Sequence, residues 1–322
     1  MKISEKKFAH LEQLSDKNNV IAALAIDQRG SMEKMFSKLQ GEDQAKAISR
    51  YKALVAEELT KYASSILLDP IYGLEAIDHI DKDAGLLMSY EVTGFRDDHR
   101  RLDLIEGLSV RRIKEMGADA VKILLYYDVD DCDKNNDIKK AAVERVGDEC
   151  DAQDIPYFLE ILTYDNKITD KKEFAKVKAR KVNEAMREFS KPQYKIDVLK
   201  MEVPIDPYYT EGFTDGEFVT SKEEAKQAFL DQTNASHLPY IFLSAGVPMD
   251  MFTETLRFAK DAGAEFHGVL CGRATWKDGV DIFIEDQEKG LEWLQTQGKE
   301  NILSLNKVIE EVSTPWTSRL EK

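Results

Sequence analysis

Asp197-Val198-Leu199-Lys200-Met201-Glu202-Val203-Pro204 reads as a short apolar strand closed by a proline, with one lysine set in its buried part. A core strand of a parallel sheet normally runs through Val, Ile and Leu. An ammonium placed there loses its water and finds little to replace it. Two readings stand side by side. In the first, Lys200 forms a structural ion pair with Glu202 or with a neighbouring strand. In the second, burial and nearby positive charge lower its pKa, so that its free amine attacks a carbonyl.

Seven further apolar runs flank this one. Residues 20–26 end at Asp27-Gln28-Arg29-Gly30, residues 64–68 at Asp69-Pro70, and residues 85–90 at Glu91. Residues 120–127 contain Lys122 and residues 155–162 contain Glu160. Residues 240–243 end at Ser244-Ala245-Gly246, and residues 266–271 at Gly272-Arg273. Runs that stop at polar residues and glycine are how buried parallel strands read. Helices are expected between them near 43–62, 102–116, 137–153, 170–189, 220–231, 249–262 and 279–297. A short amphipathic helix at 4–15 precedes the first run, and an extension from Asn301 follows the last helix.

This alternation predicts an α/β fold, a (β/α)8 TIM barrel with an N-terminal helix and a C-terminal helical extension, residues 1–322 forming a single barrel domain. An open doubly wound sheet uses the same alternation. Its nucleotide-binding versions lose support, because no G-x-G-x-x-G follows the first run and no Walker loop occurs.

A net charge of −15 argues against nucleic acid or an anionic membrane surface as a partner. Any phosphate site must therefore be a local basic pocket. Cys132, Cys150 and Cys271 form an odd set without CxxC spacing, which fits a reducing compartment. The N-terminus lacks an apolar signal core and no run reaches the ~20 apolar residues of a membrane span. A cytoplasmic location is expected.

Lys122, Glu160 and Lys200 interrupt three consecutive strands. Alternation allows one charge per strand to point into a barrel, and neighbouring parallel strands lie about 4.8 Å apart, so the three side chains can reach one ligand. Together they suit an imine-forming aldolase. Lys122 as a permanent cation favours the neutral amine of Lys200, and Glu160 moves protons at the carbinolamine and at a substrate hydroxyl. Asp27 orients a hydroxyl or assists Glu160, or else caps a helix or makes a turn contact with Gly30. Ser244-Ala245-Gly246 and Gly272-Arg273 follow the seventh and eighth strands, the usual phosphate position of a barrel. Arg273 adds a bidentate charge there, or else forms a rim salt bridge. His99, Arg100 and Arg101 read as surface pairing, with approach to a second phosphate as the alternative. Trp276 packs beneath the phosphate loop or simply fills core. The five histidines show no paired ligand spacing, so no metal and no cofactor is expected.

The segments Ala-Leu-Ala-Ile-Asp27-Gln28-Arg29-Gly30, Phe-Leu-Glu160, Asp-Val-Leu-Lys200-Met-Glu-Val-Pro, Phe-Leu-Ser244-Ala-Gly246-Val and Leu-Cys-Gly272-Arg273-Ala-Thr-Trp276 resemble the tagatose 1,6-bisphosphate aldolase family, a class I group. The similarity covers essentially the whole length. It implies a barrel, Schiff-base chemistry at Lys200 and proton transfer by Glu160. Asp27, Gln28 and Lys122 would then line the site, and Ser244, Gly246, Gly272 and Arg273 would hold the C1 phosphate. The implied reaction splits D-tagatose 1,6-bisphosphate into dihydroxyacetone phosphate and D-glyceraldehyde 3-phosphate in lactose and galactose breakdown, with fructose 1,6-bisphosphate also accepted. A homologous branch cleaves sulfofructose 1-phosphate with the same lysine and carboxylate, and a sugar-phosphate-sensing regulator on the same barrel is a further alternative. A homodimer is a family-level expectation. The strand ends do not reveal stereospecificity or the holder of the distal phosphate.

Overall fold

Eight parallel strands pair in sequence order and close into a barrel, β8 returning to β1. They are β1 Ile21–Ala25, β2 Ser65–Leu68, β3 Gly85–Ser89, β4 Ala120–Tyr127, β5 Tyr157–Thr163, β6 Val198–Met201, β7 Tyr240–Leu243 and β8 Gly268–Cys271. The computed structural model describes residues 1–95, 97 and 99–321. The expected (β/α)8 class is therefore observed. Among the described residues, no helix is long and apolar enough to cross a membrane.

Side-chain alternation separates two cores. Ile21, Ala23, Ala25, Leu67, Leu87, Ala120, Phe158, Val198, Ile241 and Leu270 fill the barrel interior. The alternate residues, such as Leu159, Leu199, Met201, Phe242 and Val269, pack outward against the helices. The N-terminal helix Glu5–Gln13 sends Leu11 into the lower end of the barrel, and Leu14 and Trp316 close it beside Leu11. With the bottom sealed by apolar side chains, polar chemistry is confined to the other end.

Local signals place the outer helices. Asp170 caps Lys171–Phe189 by accepting from Glu173 N–H, and Ser221 with Glu224 forms a capping box on Lys222–Asn234. Two expected helices differ. Between 102 and 116 only Val110–Glu115 is helical, started by Ser109. The preceding segment instead returns to the barrel rim, where Leu104 bridges Glu91, Val92 N–H donates to Asp103 O, and Ile105 N–H donates to Tyr90 O. The expected helix at 279–297 is split at Asp286, whose extended backbone ends Gly279–Glu285 and whose carboxylate caps Gln287–Trp293. A π-turn at Leu294–Gly298 then carries the chain into the C-terminal helix Lys299–Val312.

Barrel closure depends on Gly268. It has φ +126°, and a Cβ there would lie 2.0 Å from the Ile21 carbonyl oxygen on β1. Backbone blocks it, so no rotamer relieves the clash. Gly268→Ala is expected to destabilise the fold by about 2–3 kcal/mol or more, read as a lowered denaturant midpoint.

Candidate active site

Lys200 points into the barrel on β6, and its register partner on β5 is Glu160. The Lys200 ammonium lies 2.9 Å from Glu160 Oε2, while Lys122 Nζ approaches the same oxygen at 2.8 Å. Lys200 is 4% exposed and Glu160 8%. The alternative pairing of Lys200 with Glu202 is not found. Glu202 turns to the end of β5, accepting from Thr163 N–H at 2.7 Å and from the Thr163 hydroxyl at 2.8 Å.

Lys122 is the hub of the cluster. Besides Glu160, its ammonium donates to Asp27 Oδ2 and to Glu91 Oε1, each at 3.0 Å. Burial works against its charge, but Asp27, Glu160 and Glu91 outweigh it and hold Lys122 well above the ordinary lysine range. It is a permanent cation, as its surroundings require. Burial likewise opposes ionisation of Asp27 and Glu160. The attraction of Lys122, followed by that of Lys200, nevertheless holds both carboxyls below their usual values. Glu91 behaves in the opposite way, since burial pushes it up and prevails over Lys122 and Arg29.

Glu91 and Arg29 belong to this cluster although the sequence reading assigned them no role. Arg29 NH1 donates to the Glu91 carbonyl at 2.6 Å, and its NH2 lies 3.3 Å from Glu91 Oε1. Both stand immediately beyond strand ends, which was the available signal. Glu91 Oε2 is buried and has no hydrogen-bond partner among the described residues. Three carboxylates thus face three cations, Asp27, Glu91 and Glu160 against Arg29, Lys122 and Lys200. Below them Lys52 fixes the segment after β1. Wholly buried, it pairs with Asp69 and donates to the carbonyls of Ile26 and Gln28 at 2.7 and 2.9 Å.

The remaining expected residues gather around the same cavity. Gln28, Ser244, Gly246, Gly272 and Arg273 line a lobe of about 340 Å³ above Lys200 and Glu160. Asp27, Glu91 and Lys122 line a second lobe of about 220 Å³, which shares Gln28, Tyr126, Glu160 and Lys200 with the first. A larger cavity of about 570 Å³, against the loops after β6 and β7, includes neither Lys200 nor Glu160. The Ser244–Gly246 turn has positive φ at Ala245 (+49°) and Gly246 (+81°). The Arg273 guanidinium lies against Gly246, where a Cβ would meet NH2 at 2.9 Å. Among the described residues no carboxylate pairs with Arg273, so the rim salt bridge is absent and the charge faces the cavity. Of the two expectations for Trp276, core filling is the one observed. It is fully buried, and its indole N–H donates to the Ala25 carbonyl at 2.9 Å, tying the Arg273–Trp276 turn to β1.

Of the charged loop 96–101, residues 96 and 98 lie outside the described residues. Arg101 pairs with Asp97 at 3.3 Å, as surface pairing predicts. Arg100 does not. It lines the first lobe with its guanidinium carbon 4.0 Å above the Tyr164 ring. The one acidic grouping with metal-ligand spacing among the described residues, Asp128, Asp130 and Asp165, closes around the ammonium of Lys181.

An amine and a carboxylate in contact, beside a fixed cation and an anion-binding rim, can form and break an imine. Comparisons with known proteins bear on the family and the fold. The sequence profile of the DeoC/LacD family aldolase matches residues 21–278. Tagatose 1,6-diphosphate aldolase of Staphylococcus aureus strain JH9 is 55% identical over 325 residues, covering 99% of this chain and all of that one, and the protein of strain Newman matches equally. Among solved structures, a fructose-bisphosphate aldolase from Plasmodium falciparum superposes with a TM-score of 0.71 at 14% identity, covering 95% of this chain and 96% of that one. An archaeal fructose 1,6-bisphosphate aldolase gives 0.59 at 14% identity, covering 94% and 98%. These two likenesses establish the fold.

Proposed function

The chain belongs to the DeoC/LacD family of aldolases and is a carbon–carbon lyase, and we propose that it cleaves D-tagatose 1,6-bisphosphate through an imine on Lys200. The observation that carries this reading is the shared Glu160 oxygen, within 2.9 Å of both Lys200 and Lys122. The 55% identity to tagatose 1,6-diphosphate aldolases supports the substrate.

The steps follow from the charges. Lys200 passes one proton to Glu160 across their 2.9 Å contact, while Lys122 stays charged. The freed amine adds to the C2 ketone. Glu160 returns the proton to the carbinolamine hydroxyl, which leaves as water, and a protonated imine remains. That imine puts a positive charge where the ammonium stood, so the balance of three carboxylates and three cations is restored. The electron pair of the C3–C4 bond flows into the imine as a carboxylate takes the C4 hydroxyl proton, releasing D-glyceraldehyde 3-phosphate. Protonation of the enamine at C3 and addition of water then give dihydroxyacetone phosphate and the free lysine. Glu160 is the proton carrier in this scheme, and Asp27 orients substrate hydroxyls from the second lobe. Ser244, Gly246, Gly272 and Arg273 bind the C1 phosphate. Gln28 lines the join between the lobes.

Tagatose and fructose bisphosphates differ at one hydroxyl, and an open polar pocket penalises the inverted group little. Fructose 1,6-bisphosphate is therefore read as a second substrate.

The test combines trapping with turnover. Borohydride reduction in the presence of dihydroxyacetone phosphate is expected to place a stable adduct on Lys200, mapped by peptide mass spectrometry. An adduct on another lysine would overturn the assignment. Both ketose bisphosphates are expected to be cleaved. Consumption of sulfofructose 1-phosphate alone would move the chain to the other branch.

A further inference from the structure

Glu91 exchanges no proton with the substrate in the imine route, yet it holds the cation on which that route depends. Three carboxylate oxygens surround the Lys122 ammonium, Asp27 Oδ2 and Glu91 Oε1 at 3.0 Å and Glu160 Oε2 at 2.8 Å. They come from three places, the end of β1, the residue just beyond β3 and the middle of β5. An ammonium held by three anions cannot lean fully on any one of them. Where one of the three loses its charge, the attraction passes to the other two.

Glu91 is the member of this trio whose charge is easiest to change. It is buried, and the two cations that hold its carboxylate, Lys122 and Arg29, both meet the same oxygen, Oε1. Its Oε2 has no hydrogen-bond partner among the described residues, and neither have the buried Gln28 Oε1, Arg29 Nε and Ser89 Oγ. Ser89 stands two residues before Glu91 and is the register partner of Lys122. Asp27, by contrast, uses both oxygens, accepting from Lys122 on Oδ2 and from the Gln28 amide on Oδ1 at 3.3 Å. The charged groups facing Glu91 are Arg29 and Asp27 from the end of β1 and Lys122 from β4. The segment that bridges it at Leu104 brings Asp103, whose carbonyl accepts from Val92 N–H. Burial pushes Glu91 up against the pull of its cations, whereas Asp27 and Glu160 are held down. As pH falls, Glu91 is therefore the first of the three to take a proton.

We propose that Glu91 is a positioning residue, whose ionised form shares Lys122 with Glu160 and so keeps Glu160 basic enough to take the Lys200 proton. This rests on the reading of Lys200 as the imine-forming amine. When Glu91 is neutral, Lys122 draws harder on Glu160 and Asp27. Glu160 then holds a proton less tightly, and transfer from the Lys200 ammonium to the Glu160 carboxylate slows. A fall of about one unit in proton affinity is a factor of about ten in that transfer.

The test measures kcat and KM on tagatose 1,6-bisphosphate between about pH 5 and pH 8 for wild type, Glu91→Gln and Glu91→Asp, with circular dichroism over the same range. In wild type, kcat is expected to fall about tenfold to a lower plateau as pH drops through the folded Glu91 value. Glu91→Gln, a fixed mimic of the protonated form, lies on that lower plateau throughout. Glu91→Asp keeps the charge and recovers at least about threefold of the lost rate at neutral pH. In both variants KM stays within about twofold of wild type. So does the calorimetric affinity for hexyl phosphate, which cannot form an imine, because Glu91 lines the second lobe and not the Arg273 rim. A step that persists in Glu91→Gln overturns the proposal, as does a wild-type profile without one. Where Glu91→Gln does not fold, the wild-type profile decides. Cyanoborohydride trapping with dihydroxyacetone phosphate keeps the two readings apart. An adduct on Lys200 that forms at the same rate with and without the Glu91 charge overturns this inference alone. Absence of the adduct from wild type removes the imine reading first and this one with it.

Discussion

Lys200→Met and Lys200→Arg are both expected to lower kcat on tagatose 1,6-bisphosphate by roughly 10⁴-fold or more, the scale seen when a covalent nucleophile is removed. Methionine keeps the length of the side chain without its charge, and arginine keeps the charge without a nucleophilic amine. The pair therefore separates two roles that the resting structure shows together, because Lys200 is at once an ion-pair partner of Glu160 and the buried amine facing the cavity. Borohydride labelling should vanish in both variants, while the hexyl phosphate affinity, set by the rim after β7 and β8, should persist. If the arginine variant turned over at more than about a hundredth of the wild-type rate, the amine would be serving only as a charge and the imine reading would fall.

Lys200 also shows what the sequence made legible. Each inward charge interrupts an otherwise apolar run, so Lys122, Glu160 and Lys200 announce themselves, and strand alternation alone predicts that they share the barrel interior with Ala120, Phe158 and Val198. The strand-end residues Asp27, Ser244 and Arg273 were legible for the same reason. Glu91 and Arg29 share that strand-end position, but their pairing was not legible. Their mutual contact depends on the return of the chain at Leu104, an antiparallel bridge formed across a segment whose periodicity reads as helix. Arg100 was illegible in a different way. In sequence it is one of three adjacent basic residues, and only a left-handed backbone turn sends it over Tyr164 while Arg101 stays paired with Asp97. Lys52, to which the sequence reading assigned no role, is wholly buried on the helix Gly41–Leu59 against Asp69. Local pattern reports which side chains leave the core. It does not report which distant carboxylate has reached them.

Lys122→Met carries the largest expected cost to stability, because it removes the one cation that three buried carboxylates share. Breaking a buried ion pair from one side costs about 3–5 kcal/mol, and here Asp27, Glu91 and Glu160 all lose a partner. The pH dependence distinguishes charge from packing. Asp27 and Glu160 are held below their ordinary values, burial being outweighed chiefly by Lys122. Carboxyls depressed in this way stabilise the fold above about pH 4, where they ionise in the unfolded chain, and lose that contribution as pH falls through their folded values. Lys122, raised in the folded state, contributes fully below about pH 10.4 and loses its contribution only as pH climbs through its folded value. Glu91 runs against the other two carboxyls, since its raised value makes its ionised form a cost at neutral pH that Lys122 and Arg29 partly offset. The deficit of Lys122→Met, measured by denaturant unfolding, should therefore be greatest near neutral pH. It should shrink below about pH 4, as protonated carboxyls no longer need a cation. A deficit that stayed constant across that range would mean that Lys122 acts through its aliphatic stem, and the charge-balanced site on which the proton transfers depend would have to be abandoned.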